Sequence, residues 1–444
     1  MWRHIVRQAI PLTLAQLVHL LYNVVDRIYI GHLGGSSLAL TGLGLCFPLI
    51  TLIMAFTALF GLGGLPLFSI ARGGGDDEKA AKIMGNSCAL LLLASLFLTV
   101  GAYVFRKPIL FAFGVSEASY VYADEYLKIY LAGTVFSMLG TGINGFINAQ
   151  GFPGIGMLSV ALGALMNIIL DPIFIFAMDM GVSGAALATV ISQAFSALWV
   201  LCFLTGKRII IPLRRSYLRI SAGITGGILK LGTTNFVMQG TNCLVQVACN
   251  STLQSYGGDL YVGLMTVASS VRELCSLPVH GIVNGSQPVM SYNYGAGKND
   301  RVRKAINFNT LLGAVYTMLT WLAVLLFTEF WIDIFTDDAV LIENGVSALR
   351  IYFFGFVFMA LQFAGQTAFQ ALGDAKHAIF FSLLRKAIIV TPLTLLLPRL
   401  GFGVEGVFLA EPISNVIGGL ACYLTMRFTL YKKLGKSKNE RINL

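Results

Sequence analysis

The sequence predicts an all-α integral membrane protein, with twelve transmembrane helices in two six-helix lobes related by a pseudo-two-fold axis along the membrane normal. Three observations carry that expectation. The 444 residues are 56% hydrophobic and 12% charged, with a mean hydropathy of +0.76, far too apolar for a soluble chain of this length. Shifted by half its length, the chain coincides with itself without a gap: Gly63, Pro66, Ser69, Gly73, Gly75 and Lys82 meet Gly285, Pro288, Ser291, Gly295, Gly297 and Lys304. The basic loops, finally, all fall on one face of the membrane once the crossings are counted.

Apolar stretches of roughly 20 residues or more, the length a helix needs to cross a bilayer, fill nearly the whole chain. They are read at 8–30, 38–70, 80–104, 122–148, 155–177, 183–205, 223–252, 260–291, 304–327, 346–371, 377–398 and 404–430. The repeat continues through them. Ile129, Tyr130, Gly133 and Phe136 meet Ile351, Tyr352, Gly355 and Phe358; Gly151 meets Gly373; and Gly181, Val182 and Gly184 meet Gly403, Val404 and Gly406. Glycine and proline govern backbone geometry, so matched glycines and prolines predict matched turns and kinks. A structural unit used twice in a membrane chain points to a transporter.

Charge sets the orientation. Segment 206–222 carries Lys207, Arg208, Arg214, Arg215 and Arg219 without an acid, 295–304 carries four bases, and the tail adds Lys432, Lys433, Lys436, Lys438 and Arg441. Segment 328–345 carries Glu329, Asp333, Asp337, Asp338 and Glu343 without a base. Both termini are therefore expected in the cytoplasm, with an amino-terminal lobe at 1–205, a basic cytoplasmic linker at 206–222, a carboxy-terminal lobe at 223–430 and a basic tail at 431–444. Six crossings per half bring the chain back to its starting side, so the halves insert in the same orientation. The net charge of +10 then reflects topology and headgroup contact, and no nucleic-acid partner is expected.

Several function classes are excluded at this stage. No phosphate-binding G-x-x-x-x-G-K-S/T loop occurs, so no ATP hydrolysis is expected. The seven cysteines lie in apolar helices without metal-ligand spacing and read as small packing residues. No paired histidines, G-x-S-x-G or membrane-edge D-x-D suggest an enzyme, and Asp76, Asp77 and Glu78 read as solvated acids at a helix start. No catalytic residue and no cofactor is expected. The first helix reads as an uncleaved span, since it lacks a small-residue cleavage site.

Departures from the repeat mark candidate functional residues. Asp26 aligns with Ala248, Asp171 with Leu393, Glu273 with Thr51 and Glu411 with Thr189. A carboxylate inside a bilayer helix costs at least about 2–3 kcal/mol, and such residues usually line a cavity or ion path. Asn23 precedes Asp26 by one helical turn, and Asn167 stands in the same relation to Asp171. Each pair offers hard oxygens suited to Na+, or an acid that can take a proton. Pro172 and Pro412 each follow an acid and interrupt helical hydrogen bonding, which frees carbonyls as discontinuous helices in transporters do. Glu273 and Glu411 form a possible second-lobe charge site with Arg272 and Arg385; alternatively Arg272, Arg385 and Lys386 simply neutralise them. His19 and His280 read as packing residues, and Lys128, Lys230 and Arg350 as snorkelling side chains near helix ends.

These segments resemble the multidrug and toxic compound extrusion family, the MATE antiporters. The likeness lies in Asn23-Val24-Val25-Asp26-Arg27-Ile28-Tyr29-Ile30-Gly31-His32-Leu33-Gly34, in Asn167 to Pro172, in Gln287 to Gly297, and in Gly403-Val404-Glu405-Gly406 to Ser414. It covers essentially the whole chain. The resemblance implies secondary active efflux of organic, mostly cationic amphiphilic compounds in exchange for Na+ or H+, by alternating access. Asp26, Asp171 and Asn167 take the coupling-ion role, as Na+ ligands if sodium is the ion, with Asn23 beside them. The expected partners are small organic cations, Na+ or H+ and the lipid bilayer, for a monomer in the plasma (inner) membrane. The alternative is a lipid-linked oligosaccharide flippase of the same superfamily, which Arg272, Arg385 and Lys386 would suit if they lined a cavity. A major-facilitator transporter is disfavoured, because the second loop reads Ala71-Arg72-Gly73-Gly74-Gly75-Asp76-Asp77-Glu78 instead of that family's basic motif.

Overall fold

A computed structural model describes residues 2–31, 36–112, 117–334 and 339–435. Within them the side chains at 2–4, 19, 20, 22–28, 30, 31, 36–45, 112, 117–119, 243, 259 and 339–341 fall outside the description. Asn23, Asp26 and His19 therefore lie on a described helix, but their side chains are outside the described residues, as is all of 436–444.

The described residues form helices and no strand. The first half builds α1 (Trp2–Gly31), α2 (Ser36–Thr57, continued through a wide turn at Ala58–Leu62 into Gly63–Gly73), α3 (Asp77–Val104), α4 (Glu117–Ala132 and Thr134–Ala149), α5 (Pro153–Pro172) and α6 (Gly181–Thr205). The second half begins with Ala222–Gly295, which Gly258, with φ 67°, divides into α7 at 222–257 and α8 at 259–295. It continues with α9 (Asn299–Leu326), α10 (Ala339–Phe353 and Phe356–Ala371), α11 (Ala375–Leu383 through Leu384–Val390 to Thr391–Leu396) and α12 (Gly403–Met426). That is the predicted twelve, six per half. Among the described residues, eight helical segments are long and apolar enough to cross a membrane, including Asp77–Val104, Pro153–Ala177 and Gly403–Gly435.

The backbone keeps the repeat that the sequence announces. Gly75, Gly151 and Gly181 have positive φ, and so do their partners Gly297, Gly373 and Gly403. A non-glycine residue with positive φ is uncommon; the one found, Asp179 at φ 54°, aligns with Gly401 at φ 99°. The short helices Arg106–Ala112 and Thr328–Asp333 also begin at matching positions. Gly133 and Gly355 break α4 and α10 in register. A Cβ on Gly133 would meet the methyls of Val190 at 2.4 Å, and one on Gly355 would meet the backbone oxygen of Pro412 at 2.5 Å. Val190 and Pro412 are themselves 222 residues apart, half the chain. A side chain can turn aside where backbone cannot. Gly355→Ala is therefore expected to cost about 1–3 kcal/mol by overpacking, and Gly133→Ala less, which melting of the purified protein in detergent measures directly.

The chain divides into two compact units, Ile10–Phe236 and Val237–Leu444 with Met1–Ala9. In the second, Gly285 lies against the backbone of Ala9, where a Cβ would come within 2.8 Å. In the first, the basic segment 206–222 is held by side chains. Gln150 accepts from the Ile211 amide at 2.7 Å, and Asn86 accepts from the Ser221 amide at 2.8 Å while donating to the Arg219 carbonyl at 2.9 Å. Ile209 and Ile211 are buried beside these contacts. Each unit has its own apolar core, one around Phe68, Phe146 and Ile143, the other around Phe353, Phe356 and Phe408.

Candidate functional site

In the unit formed by Ile10–Phe236, α5 carries the buried acid. Asp171 is fully buried and Asn167 nearly so. Their spacing places them on one helix face, and the Asn167 amide donates to Asp171 Oδ1 at 3.0 Å. The other end of that amide, Asn167 Oδ1, is buried without a hydrogen-bond partner among the described residues. An acceptor oxygen left this way beside a carboxylate is costly unless something satisfies it. Pro172 closes α5, and the chain widens directly afterwards into a π-helical turn at Ile173–Ala177, ending where the Met178 amide donates to the Ile173 carbonyl at 2.8 Å. Wide turns of this kind are frequent at functional sites. A buried carboxylate, a free amide oxygen and an interrupted helix can receive a desolvated cation or a proton.

The other unit holds a larger charge cluster. Glu411, on α12, is 4% exposed. Its Oε1 lies 2.8 Å from Arg272 Nη2 of α8, 3.3 Å from Arg385 Nη1 and 3.0 Å from Lys386 Nζ of α11. Lys386 also reaches Oε2 at 3.2 Å. Arg385 donates to Asn415 Oδ1 at 2.8 Å, and Arg272 donates to the Tyr352 hydroxyl at 3.0 Å. Two adjacent bases on one helix would normally point about 100° apart. Here both reach one carboxylate from within a π-helical stretch, Leu384–Val390, with the Arg385 carbonyl held by Ser414 Oγ at 2.8 Å.

This cluster borders a cavity of about 240 Å³, lined also by Asn242, Gln246, Ser269, Glu273, Ser276 and His280. Arg272 Nε is buried without a hydrogen-bond partner among the described residues. Glu273 is exposed and makes no ion pair among the described residues. His280 packs edge-on against Phe363 at 5.1 Å between ring centroids, in keeping with a packing role.

The structure thus unites Asn167 with Asp171, as their helical spacing suggests, and it brings Glu411 together with Arg272 and Arg385. Glu273 borders the same cavity without joining the cluster. Lys128, read from sequence as snorkelling, is half-exposed and closes on Asp124 at 2.6 Å, where Arg106 also pairs. Sequence reasoning missed Asn415. Asn415 follows Glu411 by one turn, the same amide–acid spacing in reverse order that singles out Asn167 and Asp171.

Two helical bundles with ionisable side chains buried in each define a membrane transporter. The MatE family profile matches residues 11–173 and 235–396, one copy in each half, and the chain belongs to that family. The multidrug export protein MepA of Staphylococcus saprophyticus is 24% identical over 434 residues, 97% of this chain and 94% of MepA. MepA of Staphylococcus haemolyticus is 25% identical over 423 residues, 95% and 92% of the two chains. A multidrug resistance MATE family transporter of the MOP superfamily, solved in an outward-facing conformation, shares the fold with a TM-score of 0.91 at 24% identity over 98% of this chain and 97% of that one. So does a MOP superfamily transporter from Pyrococcus furiosus, whose binding pocket is described as having reverse polarity suggesting a different function, with the same TM-score, identity and coverage.

Proposed function

We propose that this protein is a secondary active exporter of amphiphilic organic compounds, driven by the inward movement of Na+ or H+ through the Asp171 site. The observation that carries this reading is the Asn167–Asp171 pair, enclosed in an apolar bundle with one amide oxygen unused. The MepA relatives support the cargo class, since their names describe multidrug export. Asp26 joins the coupling site in this proposal, with Asn23, because an amide one helical turn before the acid, three residues here and four at Asn167 and Asp171, recurs in both helices.

The chemistry follows from competition. A deprotonated Asp171 can be occupied by an inorganic ion, a proton or an organic cation in turn. Occupation by the ion lowers affinity for cationic cargo, and cargo lowers affinity for the ion by the same factor. Exchange then runs in the direction set by whichever gradient is steeper, provided the inward- and outward-open states differ in ion affinity.

Ethidium movement in proteoliposomes, with Na+ and pH gradients imposed independently, tests the proposal. Uptake or release that follows one of the two gradients is expected. Ethidium flux indifferent to both gradients would refute exchange at this site. A flippase for an anionic lipid carrier is the second reading, favoured by Arg272 and Lys386 lining a cavity, and it requires lipid translocation without gradient-driven ethidium flux.

A further inference from the structure

We infer that the cavity beside Arg272 and Lys386 is a binding site for the acidic group of an anionic amphiphile, so that the two units handle cargo of opposite charge. The inference rests on the transport reading above only for its role as a cargo site, and not for the binding itself.

Charge balance is the first ground. Arg272, Arg385 and Lys386 converge on one carboxylate, Glu411, at 3.3 Å or less. The cavity lining sets Arg272 and Lys386 against Glu411 and the exposed Glu273, and Arg385 behind it adds one further cation. Uncompensated charge inside an apolar bundle is costly, and a single carboxylate, sulfonate or phosphate monoanion would cancel it.

Geometry is the second. Arg272 spends Nη2 on Glu411 and Nη1 on Tyr352, which leaves Nε buried and aimed at no acceptor among the described residues. The Arg272 guanidinium lines the cavity, and its two Nη groups each carry a further N–H beside the one directed at Glu411 or Tyr352, which suits a planar or tetrahedral oxyanion. Asn242, Gln246, Ser269 and Ser276 add neutral hydrogen-bonding groups, and Val245, Val390 and Val407 supply apolar wall.

The third ground is the repeat, which shows that the cluster is an addition to the shared fold. Ile50, Gly163, Ala164 and Thr189 stand where Arg272, Arg385, Lys386 and Glu411 stand in the other half. The glycine has changed helices: a Cβ on Gly163 would lie 3.4 Å from Ser196 Cβ, whereas a Cβ on Gly418, the counterpart of Ser196, would lie 3.3 Å from Arg385 Cγ. One half reserves the space for a serine on its sixth helix, the other for an arginine stem on its fifth.

Indole-3-propionate and tryptamine share a ring and differ in charge, and their equilibrium binding to the detergent-purified protein is the direct test. Wild type is expected to bind indole-3-propionate, with Arg272→Gln weakening it at least tenfold and Arg272→Lys weakening it less. Arg272→Gln leaves Glu411 paired with Arg385 and Lys386, and a melting curve checks that the variant is folded. Absence of indole-3-propionate binding, or equal binding by wild type and a folded Arg272→Gln, overturns the inference. Gradient-driven ethidium flux combined with either result leaves the exporter reading standing while this one falls. Arg272-dependent binding without any gradient-driven flux does the reverse. Competition by phosphatidylglycerol in nanodiscs assigns the acidic group to a lipid headgroup; undiminished binding in that lipid assigns it to a free amphiphile.

Discussion

Asp171→Asn is expected to abolish the dependence of transport on the ion gradient while leaving the protein folded. Asparagine has nearly the shape of aspartate and can still accept from the Asn167 amide, which now lies 3.0 Å from Asp171 Oδ1. What it loses is the charge and the ability to take a proton. Coupling between two ligands is typically worth about 1–3 kcal/mol, so the effect of the ion on ethidium affinity, roughly 5- to 150-fold in a coupled carrier, should collapse to unity in the variant. Titrating ethidium binding at high and low Na+, and at two values of pH, measures that factor without requiring transport. Asn167→Ala should retain the response to pH and lose any response to Na+, because a proton needs only the carboxylate whereas Na+ needs several oxygens. A variant Asp171→Asn that keeps the wild-type ion response places the coupling site elsewhere.

The reason these residues can be found from sequence is that they sit on one helix. Asn167 and Asp171 meet through helical spacing alone, so their contact is local and legible. The repeat is legible for a similar reason. Turns at Gly75, Gly151 and Gly181 and at their counterparts require a left-handed backbone that glycine adopts freely. The short helices Arg106–Ala112 and Thr328–Asp333 leave no such trace, being too brief for a hydrophobic period to accumulate.

The Glu411 cluster is different because its members come from separate helices. Arg272, Arg385, Glu273 and Glu411 stand out in the sequence as intramembrane charges, yet nothing in their spacing decides which acid pairs with which base. Arg385 and Lys386 reach a common carboxylate from within the π-helical stretch at Leu384–Val390. A change of register by part of a turn has no signature in composition. Tyr352 is ambiguous for the converse reason: it matches Tyr130 across the repeat, so it reads equally as scaffold or as cavity lining until Arg272 is seen donating to it.

Removing Glu411 alone should be among the most damaging single changes to stability, whereas removing the entire cluster should not. Glu411→Gln leaves the buried Arg385 and Lys386 and the part-buried Arg272 facing a neutral amide, and breaking a buried pair by deleting one partner costs about 3–5 kcal/mol. The first half of the chain indicates a replacement: Arg272→Ile, Arg385→Gly, Lys386→Ala, Glu411→Thr, Asn415→Gln and Gly418→Ser together install the residues found at Ile50, Gly163, Ala164, Thr189, Gln193 and Ser196. Exchange of a complete buried ion cluster for packed neutral residues is often neutral or stabilising by about 1–4 kcal/mol. The sixfold variant should therefore melt near or above wild type, well above Glu411→Gln, and should no longer bind indole-3-propionate. If it melts as low as Glu411→Gln, the cluster is part of the scaffold of its unit. If it is stable and silent, the charges are held in the bundle for their ligand, because the same backbone in the other half is built without them.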